Sequence, residues 1–240
     1  MKRSPAQPLL WVLNYASVVL FAVVLAVFGS LSPRFLQTGN LVNILVQSSS
    51  TAIVAVGMTF VLLTAGVDLS VGAIMFVAAA VAGKLVLGGA SLPLALAVIL
   101  LIGLAGGVIN AVFIVRLRIM AFIVTLATLY LGRGLGLWIT ETRAMNLPGS
   151  FLQLGTDRRL GIPLPVLVFA AALFLGQVIL SHTPLGRQIY AVGQDLEGAR
   201  KAGVNPGRVL VLVYLISVRN ALLAKLSRRK IRVEEAVSAG

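Results

Sequence analysis

The sequence predicts an all-α membrane protein: a polytopic helix bundle of about six transmembrane helices with an incomplete seventh. Three observations carry that prediction. Residues of the AVILMFWYC set make up 59% of the 240, charged residues only 11%, and mean hydropathy is +1.02. A soluble domain carries about a quarter charged residues because its surface faces water, whereas a lipid-facing surface removes that need. The apolar residues also fall into runs of the length that crosses a bilayer, about 20 residues each. Finally, the basic residues sit in the short breaks between those runs.

The elements follow in order. Met1, Lys2 and Arg3 precede a run over 9–31. It is too long for a signal-peptide core and other spans follow it, so it reads as an uncleaved first span. Ser32-Pro33-Arg34 closes it. The second and third spans, 44–65 and 70–90, are split by Gly66-Val67-Asp68. Gly88 to Pro93 separates the third from the fourth, 92–115, and Arg116-Leu117-Arg118 separates that from the fifth, 119–140. Glycine, proline and charge supply the punctuation in each case. A polar stretch, 141–161, holds Glu141, Arg143, Asp157, Arg158 and Arg159, and a sixth span covers 162–181. A seventh segment opens at Val209 as VLVLVYLISV. Ten residues are too few to cross, Arg219 interrupts the run, and Lys225, Arg228, Arg229, Lys230 and Arg232 follow. The chain is therefore expected to stop inside a seventh span. Gly103 with Gly107, and Gly132 with Gly136, place small residues four apart and predict close helix packing.

Charge sets orientation. Twenty Lys and Arg against seven Asp and Glu give +13. Because these cations occupy breaks between spans rather than one basic face with stacking aromatics, they indicate topology and not a nucleic-acid partner. With the N-terminus cytoplasmic, Lys2, Arg3, Arg116, Arg118, Arg187, Arg200, Lys201 and Arg208 lie inside, and Arg34, Lys84, Arg143, Arg158 and Arg159 outside. The excess favours that orientation. It puts 182–208 in the cytoplasm. The absence of cysteine excludes disulfides and thiol chemistry within the chain, and a single histidine, His182, argues against a histidine-built metal site. No catalytic set and no phosphate-binding loop is present, so neither an enzyme nor a bound cofactor is expected.

A few polar residues remain as candidates. Asp68, in Gly66-Val67-Asp68-Leu69-Ser70-Val71-Gly72, lies between two apolar segments with almost no loop. An ionisable group at that depth needs a partner or water. Two readings stay open: a helix break beside a transport path, or Asp68 or Ser70 capping the start of the third span. Asn43, Gln47, Thr59, Asn110 and Thr125 could face a polyhydroxyl ligand or bond across helices. Arg133, inside the fifth span, either lines a wet interior or snorkels, and Lys84 is expected to snorkel. The stretch 182–208, HTPLGRQIYAVGQDLEGARKAGVNPGR, mixes charge and small residues. Asp195, Glu197, Arg200 and Lys201 would share a short helix with Ala199 and Ala202, turned or ended by Gly193, Gly203 and Asn205-Pro206-Gly207. It reads equally as a surface connector or as a docking face for a soluble partner.

Several blocks, in this order, resemble the permease subunits of ribose- and xylose-type ABC sugar importers. They are Asn40-Leu41-Val42-Asn43-Ile44-Leu45, Ala55-Val56-Gly57-Met58-Thr59, the Gly66–Gly72 block, Gly107-Val108-Ile109-Asn110-Ala111 and Phe122 to Leu129. His182 to Arg187, Tyr190-Ala191-Val192-Gly193 and Ala199 to Asn205 follow. The resemblance covers about residues 10–217 and divides the chain into an incomplete permease domain, 1–217, and a basic tail without family match, 218–240. It implies a multi-pass protein of the bacterial inner membrane that translocates a pentose-like monosaccharide. The implied partners are cytoplasmic subunits that bind the ATP, a periplasmic sugar-binding protein and a second permease subunit. It implies an ATPase-coupling loop containing Gly186, Arg187, Tyr190, Ala191, Gly193, Glu197, Ala199, Arg200, Gly203 and Asn205. It also places the Gly66–Gly72 block, with Asp68 and Ser70, near the translocation path or the bundle core, and Asn110 and Thr125 join them as translocation-path candidates. Since family members continue with further spans, a truncated or frameshifted, inactive fragment is one alternative. An ion-coupled carrier using Asp68 is another.

Overall fold

The computed structural model describes residues 15–147, 158–159 and 161–226. By its contacts the chain divides into a first unit, 1–45, and a second, 46–240. In the first, α1 (Ala16–Leu31) carries no buried residue, as expected of a helix that meets lipid along its length. It ends where Ser32 turns extended, its N–H donating to the Phe28 carbonyl at 3.1 Å. The Phe28 and Phe35 rings meet at 5.6 Å, and the Asn40 amide donates to the Phe35 carbonyl at 2.7 Å, fixing the turn into the next helix. The part of the expected first span that precedes residue 15 lies outside the described residues.

The remaining helices are α2 (Thr38–Leu63), α3 (Val71–Leu87), α4 (Leu92–Val115), α5 (Ala121–Thr140), α6 (Leu164–His182), α7 (Pro184–Gln194), α8 (Leu196–Lys201) and α9 (Pro206–Leu226). Two short strands, β1 (Arg158–Arg159) and β2 (Ile162–Pro163), pair antiparallel before α6, a detail the sequence did not signal. Among the described residues α2, α4, α5, α6 and α9 are long and apolar enough to cross a membrane, and α1 and α3 are shorter apolar helices. The expected polytopic bundle is therefore present.

The seventh segment corrects its expectation. It is a continuous helix of 21 residues, not a run broken at Arg219. Arg219 is exposed, while Val213, Tyr214, Ser217, Val218, Ala221 and Leu222 form an uninterrupted buried face at helical spacing. A charge on the opposite face does not end a helix whose packing face is intact. This helix is also central. It joins α3 and α4 in one core (Ile74, Ala78, Ile99, Val218, Leu222). It meets α2 and α6 in a second (Ile53, Ala172, Ala224) and α2, α7 and α8 in a third.

Small residues set the packing distances. A Cβ on Gly132 would lie 2.9 Å from Ala73 Cβ, so α5 rests directly on α3 there, with Gly136 against the Phe76 ring. A Cβ on Gly57 would lie 3.0 Å from the Ser217 carbonyl oxygen, so α2 and α9 touch backbone to backbone. Close approach through glycine is the expected mode in lipid, where packing rather than hydrophobicity drives helix association. At the end of α3 and α5, Lys84 donates to Glu141 at 2.9 Å, so Lys84 is paired as well as exposed. That hydrogen bond, and then the charge of Lys84, hold the Glu141 carboxyl below its ordinary range.

Candidate functional site

The site begins with how α2 stops. Ala65 adopts φ +56°, the Gly66 N–H donates to the Val61 carbonyl at 3.1 Å and the Ala65 N–H to the Leu62 carbonyl at 3.0 Å. This is a Schellman ending with alanine where glycine is usual. The Thr64 hydroxyl adds a bond to the Val61 carbonyl at 2.8 Å. Residues 64–70 then run without helix to the start of α3.

Open backbone at membrane depth is tolerated only where protein covers it, and here it is covered in part: Ala65 is exposed and Gly66, Val67 and Leu69 are half-buried. Thr64, Asp68 and Ser70 are buried, Ser70 completely. Asp68 Oδ1 accepts from the Ser70 N–H at 3.0 Å and from the Ser70 hydroxyl at 2.6 Å, and Oδ2 accepts from the Ser217 hydroxyl of α9 at 3.1 Å. The Asn110 amide of α4 donates to Ser70 Oγ at 2.7 Å, and the Thr128 hydroxyl of α5 reaches Asn110 Oδ1 at 2.6 Å. Thr125 of α5 lies 3.2 Å from the Val67 carbonyl, though its shorter bond, 2.8 Å, returns to Ala121 of its own helix. The Tyr214 hydroxyl approaches the same Val67 carbonyl at 3.4 Å.

The four path candidates, Asp68, Ser70, Asn110 and Thr125, are thus brought together, but as a closed knot with exposures of 2% or less. Of the two readings of Asp68, the geometry contains the local one in modified form. Ser70 is the N-cap residue yet makes no side-chain cap bond, and Asp68 instead receives the N–H of Ser70 itself. Ser217 lies eleven residues into α9, about 16 Å from its start at 1.5 Å per residue. The knot therefore sits well inside the bundle. Sequence reading missed its members Thr128, Tyr214 and Ser217. Thr128 stands three residues after Thr125, and Ser217 three after Tyr214, so helical spacing was the available signal. Arg133 is exposed on α5 and does not turn into the bundle, and Thr59 bonds back to the Ala55 carbonyl at 2.9 Å.

The stretch after α6 is two helices packed against the bundle, not a loose connector. The Thr183 side chain caps α7 by accepting the Gly186 N–H at 3.3 Å, and Asp195 caps α8 by accepting the Glu197 N–H at 3.0 Å. Gly203, at φ +82°, closes α8 with the Val204 N–H on the Ala199 carbonyl at 3.0 Å. Asn205 Oδ1 then accepts the Arg208 N–H at 3.1 Å and opens α9. Gly193 ends nothing, contrary to the sequence expectation: it lies inside α7, where a Cβ would overlap the Leu63 carbonyl of α2. Glycine is required there by close approach. Gly186 is held in the same way against the Leu180 carbonyl. Ile189, Val192 and Ala199 point inward and join Phe60, Val61, Val209, Val213 and Tyr214 in one core. Arg187, Tyr190, Glu197, Arg200 and Asn205 are exposed, and Ala191 is half-buried.

Comparison with known proteins gives this geometry a family. Residues 40–224 match the family described as branched-chain amino acid transport system / permease component. The chain belongs to this permease family. The ribose import permease protein of Haemophilus influenzae is 35% identical over 212 residues, covering 86% of this chain and 66% of that protein. Its counterpart in Escherichia coli is 36% identical over 222 residues, covering 90% and 68%. The galactofuranose transporter permease protein of Escherichia coli is 33% identical over 230 residues, covering 92% and 67%. The permease described here thus spans about two thirds of the length of these relatives. The family match runs past Ser217 to residue 224 and so includes most of α9. No solved structure matches the chain.

Proposed function

We propose that this permease is a path-forming membrane subunit of an ATP-driven importer for a monosaccharide of the pentose class. It is multi-pass in the bacterial inner membrane, with its N-terminus and the α7–α8 unit on the cytoplasmic side. ATP is bound and hydrolysed by separate cytoplasmic subunits, a periplasmic protein delivers the sugar, and a second permease subunit completes the pathway. The chain itself does no covalent chemistry. A neutral sugar releases no electrical energy on entry, so uphill import needs an external drive.

The observation that carries this reading is mechanical. The α7–α8 unit touches the end of α2 backbone to backbone at Gly193 and Leu63. Five to seven residues further along, the break after α2 is tied through Asp68, Ser70, Asn110 and Thr128 to α4 and α5, and through Ser217 to α9. A displacement of α7–α8 therefore acts first on the end of α2 and reaches the other spans through the hydrogen bonds of the break that follows it. Close-packed elements move as bodies between discrete arrangements, which suits alternating access. The outward face, with Arg187, Tyr190, Glu197 and Arg200, offers mixed charge and one aromatic for docking. The import roles of the relatives support a sugar, and ribose recurs among them.

The test uses the chain co-expressed with candidate ATP-binding subunits and a sugar-binding protein. Sugar-loaded binding protein should stimulate ATP hydrolysis, and Arg200→Glu should abolish that stimulation and weaken co-purification. Normal assembly and normal stimulation in Arg200→Glu would overturn the docking role of this face.

A further inference from the structure

A groove at the start of α9 has no part in the knot and shares only Asn205 with the implied coupling loop. It is an open groove of about 510 Å³, lined by Val115 of α4 with Asn205, Gly207, Arg208, Val211 and Leu212. Arg208, Val211 and Leu212 are spaced three and four apart, so they form one stripe on α9. The stripe is cationic at the helix end and apolar about 5–6 Å deeper, one helical turn. Leu212 is 44% exposed, so the apolar wall is open at its side.

The electrostatics of this end are unbalanced. The start of a helix already carries partial positive charge, which acidic residues usually offset. The first turn of α9 has no acidic residue and instead carries Arg208. Its guanidinium has no ion pair among the described residues, where the recorded salt bridge is that between Lys84 and Glu141. Arg116, next to Val115, is a further exposed cation at the same end. A positive rim above an apolar wall, at the end of a membrane-spanning helix, is complementary to an anionic headgroup joined to an acyl chain.

We propose that this groove holds an anionic phospholipid, its phosphate on Arg208 and an acyl segment along Val115, Val211 and Leu212. The site is independent of whether the protein imports a sugar. A soluble anion would not use the apolar wall, and a neutral lipid would leave Arg208 unanswered.

Native mass spectrometry of the full chain released from detergent tests this, with phosphatidylglycerol and phosphatidylcholine of equal chain length added in turn. The native chain should retain phosphatidylglycerol preferentially. Arg208→Gln should weaken that retention about five-fold, the factor that corresponds to roughly 1 kcal/mol for one basic residue at a lipid surface. Val211→Trp, which fills the wall, should lower retention of both lipids, and Arg133→Gln should leave both unchanged. Equal retention of the two lipids by the native chain would overturn the proposal. So would an Arg208→Gln chain that behaves as native, or an equal effect of Arg133→Gln, which would mean net charge alone. A dimer of the chain that protects position 208 from labelling would replace the lipid with a second copy. Arg208 is exposed, so its replacement is not expected to disturb folding, and Arg208→Lys should recover part of the selectivity.

Discussion

Replacing Asp68 tests whether the knot holds the bundle together. Asp68 accepts three hydrogen bonds, two from Ser70 and one from Ser217. Interhelical bonds in lipid average about 0.6 kcal/mol, and bonds to a charged group in water-soluble proteins start near 1.5 kcal/mol. Three of them at those limits give about 2–4.5 kcal/mol lost in Asp68→Ala. Asp68→Asn keeps an oxygen for both Ser70 donors, and the Ser217 hydroxyl can turn to accept from the new amide. It should cost about 1 kcal/mol or less. Ser217→Ala removes one bond and should cost about as much as Asn. Thermal or denaturant unfolding in a mild detergent, followed by tryptophan fluorescence, would rank the three. Asp68→Ala and Ser217→Ala combined should cost less than their sum, because both remove the same contact. An Asp68→Ala chain as stable as native, or a strictly additive double variant, would refute the reasoning.

Gly57→Leu should separate α2 from α9 and lower stability by about 3 kcal/mol, at the upper end of overpacking costs, since the atoms in the way are Ser217 backbone; unfolding midpoints check it. Gly193→Val should leave the chain inserted in the membrane but reduce sugar-stimulated ATP hydrolysis at least ten-fold, about 1.4 kcal/mol of lost coupling, because its Cβ overlaps the Leu63 carbonyl. Glu141→Gln should leave the melting temperature unchanged, since its partner Lys84 and Glu141 are both largely in solvent. The sign of that pair's pH dependence is fixed all the same. The Glu141 carboxyl is lowered, so its small contribution is present above the unfolded value, ordinarily near 4.5, and fades as pH falls through the lower folded value. A melting curve against pH should therefore show no step from this pair near neutrality.

The bundle was legible because lipid imposes one rule that sequence displays directly: spans are apolar and breaks are not. The breaks at Ser32, at Gly66 to Asp68 and at Arg116 to Arg118 follow that rule and stand where it puts them. The rule failed at Arg219, where hydropathy along the chain is a poor guide to which face is buried. Read at helical spacing, Tyr214, Ser217, Val218 and Ala221 continue one face through the charge. The knot was half legible. Asp68, Ser70, Asn110 and Thr125 stand out as polar residues in apolar surroundings. Their enclosure by one another does not, because it depends on helix rotation. Thr128 and Ser217 are small hydroxyls that are common in spans, and only their partners distinguish them. Gly193 looked like a terminator because glycine commonly ends helices; here the constraint is a neighbouring carbonyl, which no local pattern records.

The central claim is that this permease moves a sugar at the expense of ATP hydrolysed elsewhere. Proteoliposomes containing the chain with its ATP-binding subunits, supplied with binding protein and radiolabelled ribose, test it most directly. The account predicts uptake that requires internal ATP and the binding protein, and that persists when ionophores collapse proton and sodium gradients. Uptake driven by an imposed ion gradient without ATP, and abolished by Asp68→Asn, would contradict it.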